Sequence, residues 1–462
     1  MPNIIANLVF YTWPLVVIWM VSRYKAKRAI FIATTLAILL LPNGFSFDLP
    51  LIPPIDRTSL TSLTLAVILF FTGKRFQIFP AGLPTKIIIG YLGAIVISTI
   101  LNSDPIIIGG LFLPGLTYHD ALSETIRTLL ALMPFFLGRA FLNDVKDNEG
   151  IFKLLVIFAL FYSILMLGEI RLSPNLQLWF YGYTSVDFFQ QMRGDGFRST
   201  VFFGHGLGLA FWMATCIVAA LALHKNKVRI AMFSASQIII YLMVVLILSK
   251  TWSALFYTFL AMFFLFKLIP RKQIKWSLIL VAIVMIYPLT KTFGLFPDRA
   301  IVSNIQQYSP ARAESLDFRF KNEDILLVRA LQKPFFGWSS WGRARIYNKW
   351  GEDISVTDGR WIIELGENGA VGFIFNYALF FVTLLYALRN INNIDNPRDK
   401  VYFASLAIIL AICVIDSIPN TGMVAMHLLL AGALLGQAEA LKKQKEAISI
   451  KNEDPNARPK SR

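Results

Sequence analysis

The sequence predicts an all-α protein, a polytopic transmembrane helix bundle of about 12–13 spans with one large, partly helical outer loop. Three observations predict it. Of 462 residues, 56% are hydrophobic and 16% are charged, with a mean hydropathy of +0.59. A soluble domain carries about 25% charged residues. The apolar residues collect in thirteen runs, near 3–22, 29–42, 58–73, 86–102, 123–142, 151–169, 201–223, 229–248, 252–268, 274–292, 369–388, 401–418 and 422–440. A bilayer core needs about 20 such residues per helix. Runs such as Ile238–Leu248 and Phe403–Val414 show no two-residue alternation. That favours helices over a β-barrel, since lipid offers no partner to an open backbone.

The first run is long and lacks a basic start, so it reads as a retained span and not a cleaved leader. The second is short and fits either a tilted or a re-entrant segment. Basic residues concentrate in every second loop (23–28, 74–86, 225–229, 267–275 and 389–400) and in the tail 442–462. The positive-inside rule places these in the cytoplasm and the N-terminus outside. The net charge of +16 is therefore spread along one membrane face. It points to anionic lipid or an anionic substrate and not to nucleic acid. Cys216 and Cys413 both lie in apolar runs and read as packing residues.

This divides the chain into a first part of the bundle (1–293), a large outer loop (294–361), C-terminal membrane helices (362–441) and a basic tail (442–462). The tail is expected to be disordered after one more helical turn. Two segments, Glu169–Thr200 and Gly294–Trp361, are too long for idle connectors and fall on the outer face. In the second, Phe320, Leu327 and Leu331 recur at helical spacing, which predicts an amphipathic helix near 314–332 ended by Pro334 and Gly337.

The candidate chemistry is mostly cationic. Glu124 and Arg127 lie three apart at the start of the fifth span. They read either as a self-satisfied pair or as an arginine turned to a cavity to bind an anion. Arg193 and Arg198 flank glycines just before a helix start that carries His205, a setting that suits an anion. The large loop holds Arg319, Arg329, Asp358 and Arg360, with Trp338 and Trp341 among four closely spaced tryptophans. Such rings serve as sugar platforms or as interfacial anchors. Asp416 and His427 in the last two spans read as hydrogen-bonding groups between helices. No paired-Cys spacing, His-Glu-x-x-His or Walker-type loop occurs, so neither a metal nor a nucleotide cofactor is expected.

The pattern of these residues resembles the O-antigen ligase and O-antigen polymerase superfamily of bacterial surface-polysaccharide glycosyltransferases. The likeness is sharpest from Arg198 to Phe373. It rests on Arg127 in an early helix, Arg198 before a span, and Arg319 ahead of Pro334-Phe-Phe-Gly-Trp-Ser. It ends with Asp358-Gly359, nine residues, then Gly369-Ala-Val-Gly372. Where ligases carry a histidine, this chain has Asp358, which makes a polymerase the closer match.

The resemblance implies a C-type glycosyltransferase-like fold in the bacterial inner membrane, with an active site facing the periplasm. It implies metal-independent transfer of a glycan from undecaprenyl diphosphate to a glycan or lipid-linked acceptor, within a polysaccharide assembly complex. Arg198 and Arg319 would neutralise the leaving diphosphate and Asp358 would take the acceptor proton, with Arg360 close enough to hold it ionised. Arg127, Arg193, Arg329, Arg360, Trp338 and Trp341 would bind substrate. The alternatives are a ligase acting on lipid A core and, in another class, a flippase for the lipid-linked glycan.

Overall fold

The structure, a computed structural model, describes residues 2–49, 52–74, 76–173, 175–184, 191–193, 196–420 and 423–453. Its helices are α1 (Ile4–Arg23), α2 (Ala26–Leu40), α3 (Arg57–Phe71), α4 (Leu83–Ile100), α5 (Tyr118–Phe141), α6 (Asn148–Leu172), α7 (Leu176–Tyr181) and α8 (Gly206–Lys225). They continue with α9 (Ala235–Leu248), α10 (Trp252–Lys267), α11 (Pro270–Thr292), α12 (Asp298–Gln306), α13 (Pro310–Leu331), α14 (Arg360–Asn390), α15 (Pro397–Asp416) and α16 (Ala425–Glu453). Each of the thirteen apolar runs falls on one of them, and the short second run is the ordinary helix α2.

Among the described residues, seven helices are long and apolar enough to cross a membrane: α1, α4, α5, α6, α8, α11 and α14. Helices α3, α9 and α10 are apolar but shorter. Short antiparallel hairpins join several helices, β1 (Ser46–Leu49) with β2 (Ile52–Asp56), β3 (Ile106–Ile108) with β4 (Leu111–Leu113), and β5 (Met192–Arg193) with β6 (Gly196–Phe197).

Local sequence explains where the helices start. Capping boxes open α3 (Asp56 with Ser59), α5 (Thr117 with Asp120) and α9 (Ser234 with Gln237). Packing explains where they sit. Helix α8 is buried along nearly its whole length and forms the centre of the bundle. The outward faces are apolar instead of polar, with Leu8, Phe256 and Phe259 more than half exposed. That is the surface a lipid-facing bundle needs. Helices α5 and α16 approach at Gly432 and Gly436, where a Cβ would meet the carbonyl oxygens of Phe135 and Arg139 at 2.0 and 2.2 Å. Small residues four apart allow this backbone contact.

The sharpest local feature is a break in α14 at Gly369 (φ 64°, ψ −170°). Breaking a helix frees main-chain groups that cost several kcal/mol if left unpaired away from water. A turn from the preceding segment takes them. The N–H groups of Trp338 and Ser339 donate to Gly366 O and Glu367 O, both at 2.8 Å. Those of Ala370 and Val371 donate to Pro334 O and Phe335 O at 2.8 and 3.1 Å. Contact is so close that a Cβ on Gly337 would lie 2.6 Å from the Glu367 backbone, and one on Gly369 2.3 Å from Phe335. The Pro-Phe-Phe-Gly turn and the Gly369 position are thus two halves of one main-chain joint.

Three elements differ from the sequence expectation. The amphipathic helix expected near 314–332 is α13, which starts slightly earlier at Pro310, and α12 precedes it. Helix α14 begins at Arg360, ahead of the expected boundary at 362, because the Arg360 N–H is tied to Asn420 O at 2.9 Å. Helix α16 runs on to Glu453 instead of ending after one turn past 441. The residues concerned are good helix formers, and Lys442 pairs with Glu446 at 3.6 Å. The remainder of that tail lies outside the described residues.

Gly369→Ala is expected to destabilise the protein by about 1–3 kcal/mol, since that backbone region is essentially open to glycine alone. Thermal unfolding in detergent measures it; an unchanged midpoint would show that the joint is dispensable.

Candidate functional site

Arg198 is brought to the bundle by a segment that a single carboxylate organises. Glu169, near the end of α6 and only 3% exposed, accepts N–H groups from Leu176 (2.8 Å), Thr200 (2.7 Å) and Val201 (2.8 Å). Arg57 at the start of α3 adds a second clamp, donating to Phe202 O at 2.7 Å and to Ile38 O and Leu41 O. Arg198 itself is buried, with its methylenes against Gly206 and its Nη2 3.4 Å from Lys250 O. Arg193 has its backbone in β5, and its side chain lies outside the described residues. His205 caps α8, accepting the Leu207 N–H through Nδ1 at 3.1 Å.

Arg319 arrives from a different element. Helix α13 is held to the bundle by Lys291, whose side chain is 2% exposed and which bonds Asp324 at 2.6 Å and Asp298 at 3.3 Å. Beside it, buried Glu323 accepts from the Tyr287 hydroxyl (2.9 Å) and the Trp361 indole (3.3 Å). Arg319 places Nη1 on Pro419 O at 2.9 Å and Nε 3.5 Å from Asp358. Among the described residues, its Nη2 has no protein partner.

Arg198 and Arg319 line the same cleft, about 1220 Å³ in volume, together with Lys250 and Arg312. Arg312 stacks over Trp252 at 4.1 Å from the ring centroid. Among the described lining residues there are four cations and no carboxylate, and Asp358 touches the cleft through Arg319. The lining also carries apolar residues, with Ile247, Trp252 and Phe259 all more than half exposed.

The other candidates lie elsewhere. Arg127 bonds Glu124 at 2.5 Å and lines a separate cavity with Arg360. The ion-pair reading of Arg127 is thus realised, and it does not join Arg198 and Arg319. Arg360 bonds Glu364 at 3.1 Å and so pairs within its own helix, and it is Arg319 that contacts Asp358. Arg329 lies 3.4 Å over the Trp338 ring and donates to Arg343 O and Gln332, while Lys333 sits 4.4 Å from the same ring. Burial, reinforced by the Arg343 charge, pulls the Arg329 guanidinium below its ordinary pKa. Trp338 is therefore covered by cations and cannot serve as an open sugar platform. Trp341 is half exposed and borders neither cavity.

Sequence reasoning missed Lys250, Arg312, Glu169 and Glu323. Arg312 had a signal: it lies seven residues before Arg319, on the same helix face. Lys250 had none, being one cation between two apolar runs. His427 makes the expected contact between helices, to Thr215 of α8 (3.0 Å). The bond of Asp416 to Asn420 (2.7 Å) is local to the turn after α15, and its contact across helices is with Tyr257 of α10.

The fold defines a helical bundle of membrane-protein character with a cation-lined cleft beside a carboxylate. No model of a known protein family matches the sequence, and no curated protein matches it.

Burial raises the Glu323 carboxyl above its ordinary value, against the opposing hydrogen bonds from Tyr287 and Trp361 and the Lys291 charge. A carboxyl raised on folding adds stability below its unfolded pKa of about 4.3 and loses it as pH rises through the folded value. Raising the pH from about 4 to 8 is therefore expected to weaken the docking of α13. Glu323→Gln, which keeps an acceptor for Tyr287, should flatten that dependence in melting curves; an identical slope in both proteins would assign it to another group.

Proposed function

We propose that the protein is a polyprenyl-diphosphate-dependent glycosyltransferase, acting as a polymerase of surface polysaccharide on the outer face of a bacterial inner membrane. The observation that carries this reading is the convergence of Arg198, Lys250, Arg312 and Arg319 on one cleft with exposed apolar residues in its lining. A diphosphate on a long isoprenoid needs both features. Guanidinium groups stay charged at any accessible pH and bind phosphate oxygens through paired N–H groups. The exposed Ile247, Trp252 and Phe259 give the lipid a surface to lie on. In this reading all thirteen apolar helices are embedded, and the 294–359 segment covers the cleft on the outer side.

The reaction breaks the bond from the sugar anomeric carbon to the phosphate oxygen and forms one from that carbon to an acceptor hydroxyl oxygen. The diphosphate leaves with the bonding electron pair, and its added charge is met by arginines already oriented in the cleft. Asp358 accepts the hydroxyl proton. Arg319 faces Asp358 across 3.5 Å. A bound diphosphate draws the guanidinium toward itself, which weakens that pair and leaves the carboxylate oxygen open to the acceptor hydroxyl. The acceptor hydroxyl, deprotonated by this one carboxylate, attacks from the face opposite the leaving group, so the anomeric configuration inverts.

In membranes supplied with undecaprenyl-diphosphate-linked oligosaccharide, Arg319→Ala is expected to slow chain growth by about 10²–10³-fold. Asp358→Asn is expected to slow it by about 10²–10⁴-fold. Near-normal growth in Asp358→Asn would remove that residue from the chemistry. Because arginines carry the charge compensation, growth should survive chelation with EDTA; full dependence on added Mg²⁺ or Mn²⁺ would contradict this. Transport of unextended donor across liposomes, without growth, would establish a flippase instead.

A further inference from the structure

The cavity shared by Arg127 and Arg360 belongs to none of this diphosphate chemistry. It is about 270 Å³ in volume and lies between α4, α5, α14 and the segment leading into α16. The Ser417–Asn420 turn touches both it and an arginine of the cationic cleft. Arg319 reaches Pro419 O from the cleft side, while Ser417 lines the cavity and the Arg360 N–H holds Asn420 O.

Charge separates the two spaces. In the cleft, the described lining residues include four cations, and Arg319 among them contacts Asp358. In the cavity, each guanidinium is tied to its own buried carboxylate, Arg127 to Glu124 and Arg360 to Glu364. The guanidiniums nevertheless keep 55% and 42% of their side-chain surface exposed. Their remaining N–H groups face outward from a neutral pair. A phosphate gains little from such a site, because its attraction to each arginine is offset by a carboxylate a few ångströms behind it.

The rest of the lining matches a neutral hydroxylated ligand. Tyr91 donates to Glu364 at 3.1 Å, and Tyr377 and Ser417 share a hydrogen bond at 2.9 Å, so the hydroxyls are oriented in advance. Asn376 sits midway along the apolar part of α14 and borders the cavity, yet no described residue hydrogen-bonds its amide. An amide in a membrane helix without a protein partner is costly unless a ligand or water completes it. Donors and acceptors beside the Tyr91, Tyr377 and Phe380 rings suit the hydroxyl edge and the C–H face of a sugar.

We infer that this cavity is a sugar subsite for the acceptor, taking a single neutral hexose-type unit through Asn376, Arg360 and Arg127 and presenting its hydroxyl at Asp358. The acceptor role rests on the glycosyl-transfer reading above; the binding of a neutral sugar does not. Two half-sites with different electrostatics then meet at one carboxylate, diphosphate on the Arg319 side and sugar on the Arg360 side.

The test uses the full chain in nanodiscs. The probe is the free oligosaccharide released by mild acid from the lipid-linked glycan of cells lacking this protein. Titration calorimetry is expected to show binding that weakens at least about tenfold, or 1.4 kcal/mol, in Asn376→Leu. A similar loss is expected in Ala131→Trp, which fills the cavity from an exposed position on α5. Arg319→Ala should leave this binding unchanged, and inorganic pyrophosphate should not compete with it. In the growth assay Asn376→Leu should raise KM for the acceptor and leave KM for the donor unaltered. Wild-type affinity in both cavity variants, or displacement by pyrophosphate, would overturn the inference. Asn376-dependent binding with no chain growth in the wild type would keep the sugar site and sink the transferase reading instead.

Discussion

The main-chain joint between the 334–339 turn and the break in α14 is the contact on which the site depends. A continuous helix from Arg360 to Asn390 would need no partner for its backbone. The break at Gly369 frees carbonyl and amide groups, and the turn that pairs with them also closes the segment carrying α13. Helix α13 thereby keeps Arg319 within reach of Asp358, just before the first residue of α14. One glycine conformation thus couples the position of a cation to that of a carboxylate almost forty residues away in sequence.

Buried ionic groups do the remaining positioning, and each is costly to desolvate. Glu169 offsets that cost by accepting three N–H groups, Glu323 by accepting from Tyr287 and Trp361, and Lys291 by two carboxylates with Phe296 and Phe320 nearby. Apolar substitutes would be easier to bury. They would not fix the direction from which Arg198 and Arg319 enter the cleft. What such an arrangement supplies is geometry more than stability.

The helices were legible because length and apolarity leave a membrane chain few alternatives, and all thirteen runs became helices. The helix around Arg319 was legible from Phe320, Leu327 and Leu331. Side-chain direction was not. Arg127 shares a helix face with Glu124, and nothing in its neighbours tells which cavity it borders. Asp358 and Arg360 are two apart in sequence, but one precedes the helix and the other opens it, so they turn to different partners. Trp338 carries the composition of a sugar platform, and only the stacking of Arg329 and Lys333 reveals that its ring is taken. The Pro334–Gly337 and Gly369 motifs stood out in the sequence, and their physical reason is a backbone contact that no residue type announces.

The differing charge of the two cavities has a consequence for how they respond to their surroundings. Mobile ions screen an excess of positive charge over about 8 Å at physiological ionic strength, and competing anions occupy it directly. Under the proposed function, the side of the cleft lined by Arg312 and Arg319 would respond to the salt and to the anionic lipids around it. The cavity of Arg127 and Arg360, whose charges are already balanced within a few ångströms, is indifferent to both. If both spaces bind as proposed, a cell that changes its osmotic or lipid state would alter occupancy of the cleft and leave that of the cavity as it was.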